Sequence, residues 1–336
     1  MNLNISVIIP FREEESLIYF LEMIKLWDSY PAEIIIVYSS LMKPSNPDDF
    51  VHFCKNNNII FNLLHRPQCF PGEARNIGVA KSQFPNIAFL DSKTIPEHSW
   101  LRLGFNELSN SEHCVVLGST IYQVTSFRAK IIRSCTYGVL PVKTLPGSML
   151  AKNTFHLIGG FIGWSRAGED ADWMARAELH RINFASNPTQ LIYSSLDEYS
   201  YIGILKKWFR NYVYTSKLPY FRPHKNIYFY GLSFFSIFLA YNWNSYFADW
   251  DMASNYYLPN ITKLISAFLL ISYFLLRGLI KPYIKGERSI KFLVISFVPS
   301  AFFSLLIDAV KVLAFLVSKN NTLVKLIDLR LKKRVA

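Results

Sequence analysis

The stretch Pro71-Gly72-Glu73-Ala74-Arg75-Asn76-Ile77-Gly78, followed by the apolar run Ile87-Ala88-Phe89-Leu90 and then by Asp91-Ser92-Lys93-Thr94-Ile95-Pro96, sets the reading of the whole N-terminal part. Residues 73–81 read as a helix and 86–90 as the strand it feeds. The same alternation recurs upstream. Residues 5–9 form an apolar run ended by Pro10, and Leu17, Phe20, Leu21 and Ile24 then recur at helical spacing within 13–27. A strand over 33–37, a helix reaching Asn57 and a strand over 59–63 complete the series. Three or four such units in about 90 residues predict a mainly parallel sheet covered by helices on both faces. Ligands of such sheets gather at the C-terminal ends of the strands, which places 10–13, 38–40 and 91–93 around one crevice.

Charge divides the chain unevenly. Its 336 residues carry 36 Lys+Arg against 24 Asp+Glu, net +12, but residues 1–200 hold 17 basic and 19 acidic side chains while the remainder holds 19 and 5. The basic part is also the apolar part, a pairing that points to a membrane with anionic headgroups and away from nucleic acid. A soluble DNA-binding protein is excluded. Cys54, Cys69, Cys114 and Cys135 form no CxxC pair, so neither a zinc site nor a disulfide framework is predicted, and they read as thiols in a reducing compartment. Met1-Asn2-Leu3-Asn4 passes directly into the first apolar run without a basic n-region or cleavage site. Residues 1–200 are therefore expected on the cytoplasmic side.

Beyond Ser200, Lys206-Lys207-Trp208-Phe209-Arg210 and then Lys217, Tyr220, Phe221, Arg222 and Lys225 mix cations with aromatics. That texture predicts an interfacial amphipathic segment over 201–225, with a solvated basic helix as the alternative. Residues 226–248 and 258–280 are long enough to cross a hydrocarbon layer, the second with Lys263 and Arg277 near its ends. Residues 292–317 form a third apolar segment, interrupted by Pro299 and holding Asp308 and Lys311, which reads either as a third span or as a re-entrant or interfacial hairpin. The cations of 277–291 place that connection inside, and the cation-free 242–260 outside. A basic tail occupies 319–336. The expectation is a multi-pass cell-membrane protein with a cytoplasmic N-terminal domain.

Four motifs in order, Val7-Ile8-Ile9-Pro10, the stretch from Pro71 to Gly78, the strand ending in Asp91 and Gly168-Glu169-Asp170-Ala171-Asp172-Trp173, give a sequence that resembles the family 2 glycosyltransferases of the GT-A fold. The resemblance covers about residues 5–215. It implies an α/β, Rossmann-like GT-A domain over 1–200 followed by an α-helical membrane region over 226–318. It further implies a nucleotide-sugar donor and transfer of one sugar with inversion, to a lipid-linked or membrane-proximal hydroxyl. Transfer to a polyprenyl phosphate is the nearest alternative, and an inactive GT-A-like binding or scaffold protein is the alternative from another class.

By that resemblance Asp170 is the base and Glu169 its orienting neighbour, in a helix over 169–180 whose three acids, with Asp172, also suit a helix N-terminus. Pro10, Phe11, Arg12 and Glu13 line the nucleotide pocket. The family's aspartate at the second strand end is replaced by Tyr38-Ser39-Ser40, where Tyr38 stacks on a base or a serine hydrogen-bonds it. Arg75 forks onto phosphate or pairs with Asp91, beside Asn76 on the donor side. Asp91 begins the D-x-D pattern and is the one candidate metal ligand, but Lys93 stands where the last acid belongs. An ammonium cannot coordinate Mg2+ or Mn2+, though it can neutralise phosphate directly, so no cofactor is assigned. Trp164 and Trp173 are placed to stack on a sugar, and Trp208 and Arg210 to close over the diphosphate. His65, His98 and His180 have no metal-ligand spacing and read as structural.

Overall fold

Apolar residues on both faces of β1 (Leu3–Phe11) decide the architecture. Ile5, Val7 and Ile9 point into one buried cluster with Leu17, Phe20, Leu21 and Ile24 of α1 (Glu14–Ile24), while Ile8 points into the opposite cluster. A strand buried on both sides is the mark of a helix-covered parallel sheet. The computed structural model describes residues 2–45, 47–110, 114–219, 224–258 and 261–324. Tyr220, Phe221 and Arg222, the side chains of Lys225 and Lys263, and the tail cations from Lys325 onward lie outside the described residues.

From β2 (Pro31–Tyr38) the chain runs through α2 (Asp48–Asn56), β3 (Ile60–His65), α3 (Pro71–Lys81) and β4 (Asn86–Phe89). These elements fall within a few residues of their sequence-based bounds. The next part is more irregular: β5 (Ile95–Pro96), α4 (Trp100–Ser109), β6 (Cys114–Tyr122), α5 (Phe127–Cys135), β7 (Val142–Ala151), α6 (Lys152–Ile158), α7 (Glu169–Leu179), β8 (Asn183–Ser186) and β9 (Leu191–Tyr193). The sheet order is β3-β2-β1-β4-β7-β6-β9-β5, with β8 also on β6. Neighbours among β1, β2, β3 and β4 run parallel, whereas β7 is antiparallel to both β4 and β6. Parallel pairing therefore holds in the half predicted from the βα repeat, and the sheet as a whole is mixed.

Gly78 shows why the motif at 71–78 needs its glycine. A Cβ there would lie 2.3 Å from Ile8 Cγ2, so α3 meets β1 at backbone distance.

The C-terminal part is helical: α8 (Tyr201–Thr215), α9 (His224–Phe247), α10 (Ile261–Leu275), a π turn at Leu276–Ile280, α11 (Lys281–Ile284) and α12 (Ile290–Ser318). Serine side chains of Ser126, Ser200 and Ser289 cap the first turns of α5, α8 and α12. Among the described residues two stretches are long and apolar enough to cross a membrane, Leu264–Ile284 and Ile290–Ser318. The segment expected to cross first, 226–248, is helical, and its described side chains include the apolar stretch Tyr230–Leu239. Tyr241, Asn242, Trp243, Asn244 and Ser245 dilute its second half.

Helix α12 passes through Pro299 unbroken and docks along the N-terminal domain and α8. Phe292 meets Phe127 of α5 at 5.8 Å, Cys135 Sγ donates to Ser300 O at 3.4 Å, Phe303 meets Tyr201 of α8 at 4.8 Å, and Lys311 lies 5.0 Å from the Trp208 ring. The connection before it is also anchored, since Val139 and Leu140 donate to Lys285 O and Arg133 pairs with Glu287 at 3.5 Å. At the centre of the helical part Asp308, fully buried, accepts from Tyr273 Oη at 2.8 Å and Arg277 Nη2 at 2.9 Å, with Lys311 Nζ at 3.3 Å. Its expected partner Lys311 is thus joined by Arg277.

Removing one member of a buried ion cluster strands the others, at about 3–5 kcal/mol. Asp308→Asn should lower the thermal midpoint of the detergent-solubilised chain markedly. Leu313→Ala, on the exposed side of the same helix, should leave it nearly unchanged.

Candidate active site

Strand ends of β4, β6 and β9 and the first turn of α7 surround a cavity of about 160 Å3, lined by Asp91, Lys93, Thr94, Thr120, Tyr122, Thr144, Pro146, Asp170 and Tyr193. Asp91 and Lys93 share this one space with Asp170, far from them in sequence. Gly168 makes the turn that delivers Asp170. It sits at φ +82°, and a Cβ there would lie 2.4 Å from Thr215 Cγ2 of α8. Only glycine suits both the left-handed backbone and the close approach.

Beneath the cavity Arg75 ties its two sides together. Nη2 donates to Asp91 Oδ1 and Nη1 to Glu169 Oε1, both at 2.8 Å, and the guanidinium lies 5.5 Å from the Phe161 ring. Burial works against its charge, yet the carboxylates of Asp91, Glu169 and Asp170 outweigh burial and raise its pKa. Burial, reinforced by Asp170, pushes Glu169 up to about 6 against the pull of Arg75. Of the two alternatives expected for Arg75 the structure shows the pair with Asp91, and Glu169, expected as the orienting neighbour of Asp170, is buried against the same guanidinium.

Other expected site residues are drawn into the scaffold. Asn76 exchanges two hydrogen bonds with the Phe161 backbone, each 2.8 Å, and so closes the loop before α7. Phe11 and Tyr38 are buried in the core cluster on the α1 face, which rules out Tyr38 stacking on a base, and the Ser39 hydroxyl donates to Phe11 O at 3.1 Å. Trp173 is fully buried, with Nε1 donating to Gly159 O at 2.9 Å, and stacks on Phe155 instead of a sugar. Asp172 is equally buried and pairs with Arg176 at 3.0 Å. Trp208 turns toward α12, away from the diphosphate expected beside it. Pro10 pairs with Val37 in the sheet, and Arg12 and Glu13 are exposed beyond the strand end, where Glu13 meets Lys93 Nζ at 3.4 Å. Trp164 stands exposed in the loop before α7.

Several groups at the site went unread in the sequence. Tyr122 stacks on Tyr137 at 4.0 Å and meets Tyr193 at 5.2 Å, forming an aromatic wall. Arg166, lowered to about 10 by burial and then by Arg210 and Arg12, belongs to a group of mutually repelling arginines. Lys207 lies inside a motif already noted, and its spacing of three from Arg210 was the available signal. On a helix that spacing puts both on one face, with Trp208 turned about 100° away.

As a metal site the arrangement fits poorly. Asp91 is engaged by Arg75, Lys93 follows two residues on, and among the described residues no group of three His, Cys, Asp or Glu side chains could hold an ion.

A half-parallel sheet with an acid at the β4 end and acids opening α7 across one cavity defines a glycosyltransferase of the GT-A type. Residues 6–170 match the family model described as glycosyl transferase family 2, and the catalytic domain of this chain belongs to that family. Among solved structures, the mannosyltransferase PcManGT from Pyrobaculum calidifontis in complex with GDP-Man and Mn2+ is 12% identical, with 93% of this chain and 88% of that chain covered and a TM-score of 0.49. S. aureus TarS 1–349 in complex with UDP-GlcNAc is 12% identical over 92% of this chain and 91% of that chain, TM-score 0.42. GalNAc-T7 with UDP, GalNAc and Mn2+ is 13% identical over 56% of this chain and 43% of that chain, so the chain spans less than half its length, TM-score 0.41. No curated protein matches the sequence.

Arg75→Ala leaves Glu169 buried without its cation and should cost about 3–5 kcal/mol, read as a lowered unfolding midpoint. The proton on Glu169 gives a second readout. Its folded value of about 6 lies above the ordinary 4.5, so the folded state binds the proton more tightly. Stability should fall as pH rises from about 4.5 through 6 and level off above, and Glu169→Gln should flatten that slope.

Proposed function

We propose that the chain moves one sugar from a nucleotide-sugar donor to an acceptor hydroxyl held at a membrane surface, inverting the anomeric carbon, with Asp170 as the base. The observation that carries this reading is the shared cavity of Asp91, Lys93 and Asp170. Asp170 takes the proton from the hydroxyl as its oxygen attacks C1, the C1–O bond to the diphosphate breaks, and the nucleoside diphosphate leaves with the electron pair. Its growing charge meets Lys93, so catalysis lies in a fixed cation and one positioned carboxylate. Arg75 and Glu169 hold Asp91 and the start of α7 in register.

Attachment to an anionic bilayer is supported by the exposed apolar side chains of α10 and α12, among them Leu264, Phe268, Ile271, Val294, Phe302 and Leu306. The basic connection around Lys285 touches the catalytic domain, which by the positive-inside bias favours a cytoplasmic active site. The docking of α12 along α8 favours the interfacial alternative over a simple third span.

Asp170→Asn should reduce transfer by about 10²–10⁴-fold while leaving nucleotide binding intact. A screen of UDP- and GDP-linked sugars with membranes, run with and without EDTA, tests both points, and turnover should survive chelation. Full activity in Asp170→Asn would overturn the base and favour a phosphate acceptor, which is already ionised. No turnover with any donor would favour a binding protein.

A further inference from the structure

Lys207 of α8 is a half-buried cation with no acid against it among the described residues. Its Nζ lies 4.8 Å from the Tyr199 ring, 5.7 Å from Tyr193 and 6.0 Å from Tyr137. Tyr193 lines the active-site cavity, and Tyr122, another lining residue, stacks on Tyr137. The charged groups that act on Lys207 are Arg210 and Lys93, both cations, and among the described residues no carboxylate pairs with it. Burial first, then these two neighbours, lower its pKa to about 8.

Three tyrosine faces stabilise an ammonium only in part, by about 0.5–2 kcal/mol each at best. They do not cancel its repulsion from Lys93 and Arg210. An anion between these cations would relieve the repulsion, and Tyr193, whose ring Lys207 faces, lines the cavity where the leaving group forms. The other side of α8 is occupied, since Trp208 and Tyr212 face Lys311 of α12. Lys207 is therefore held at the cavity by a helix fixed from behind.

We propose that Lys207 and Lys93 together seat the donor's diphosphate, two fixed ammonium groups supplying the charge neutralisation that a divalent cation supplies in metal-dependent transfer. This rests on the nucleotide-sugar reading above and adds a residue to it. As the C1–O bond breaks, the electron pair stays with the diphosphate oxygen and the two ammonium groups meet the new charge. No further co-reactant is needed. Loss of the Lys207 proton above pH 8 weakens the seat, with Tyr137, Tyr193, Tyr199, Arg210 and Lys93 as the titratable or charged groups around it.

The test is equilibrium binding of inorganic pyrophosphate, UDP and GDP to the full chain in detergent, in EDTA, at pH 7 and pH 9. Pyrophosphate and at least one nucleotide should bind without metal, and Lys207→Met should weaken them about 10–100-fold, the scale of one lost charged hydrogen bond. Lys207→Arg should retain affinity and lose the decline between pH 7 and pH 9. Should Lys207→Met fold poorly, Lys207→Arg and the wild-type pH profile carry the decision. Unchanged affinity in Lys207→Met, an equal decline in Lys207→Arg, or wild-type binding only with added Mn2+ overturns the seat and leaves the donor reading standing. Wild-type protein that binds none of the three probes, with or without Mn2+, overturns the donor reading itself.

Discussion

One buried guanidinium joins the two halves of the active site. Arg75 holds Asp91 at the end of β4 and Glu169 at the start of α7, each at 2.8 Å. Two carboxylates of like charge would otherwise repel across a site of low polarity. With the cation between them they become a brace, and Asp170 is delivered as the next residue of the same turn. The geometry of the cavity therefore depends on an ion cluster centred on a buried guanidinium.

Helix α8 plays the matching part on the other wall. One face carries Lys207 against Tyr193, and the adjoining face carries Trp208 and Tyr212 against Lys311 of α12. The apolar helices are consequently not an appendage. Through α8, α5 and the connection at Lys285 they touch the elements that shape the cavity. Packed interiors transmit displacement, so the position of α12 and the position of the cations are linked.

Strands and helices through β4 were legible because each βα unit repeats one pattern, with apolar runs such as Ile5 to Ile9 and Ile34 to Val37. Asp91, Lys93 and Asp170 were legible because they end or begin such elements. Less could be read where pairing is distant. Strands β6, β7 and β9 come together only across the sheet, so Tyr122 and Tyr193 carry no local sign of meeting. Burial misled in the other direction: Trp173 and Asp172 sit in a catalytic-looking motif, but helical rotation turns them inward from Asp170. Tyr38 fails as a base contact for the same reason, since strand alternation points it into the core.

Gly168 has a mechanical implication. With no side chain between them, the backbone leading into α7 lies against Thr215 at the foot of α8, riveting together the wall that bears the base and the wall that bears the cations. A jaw closed at that corner cannot swing open there.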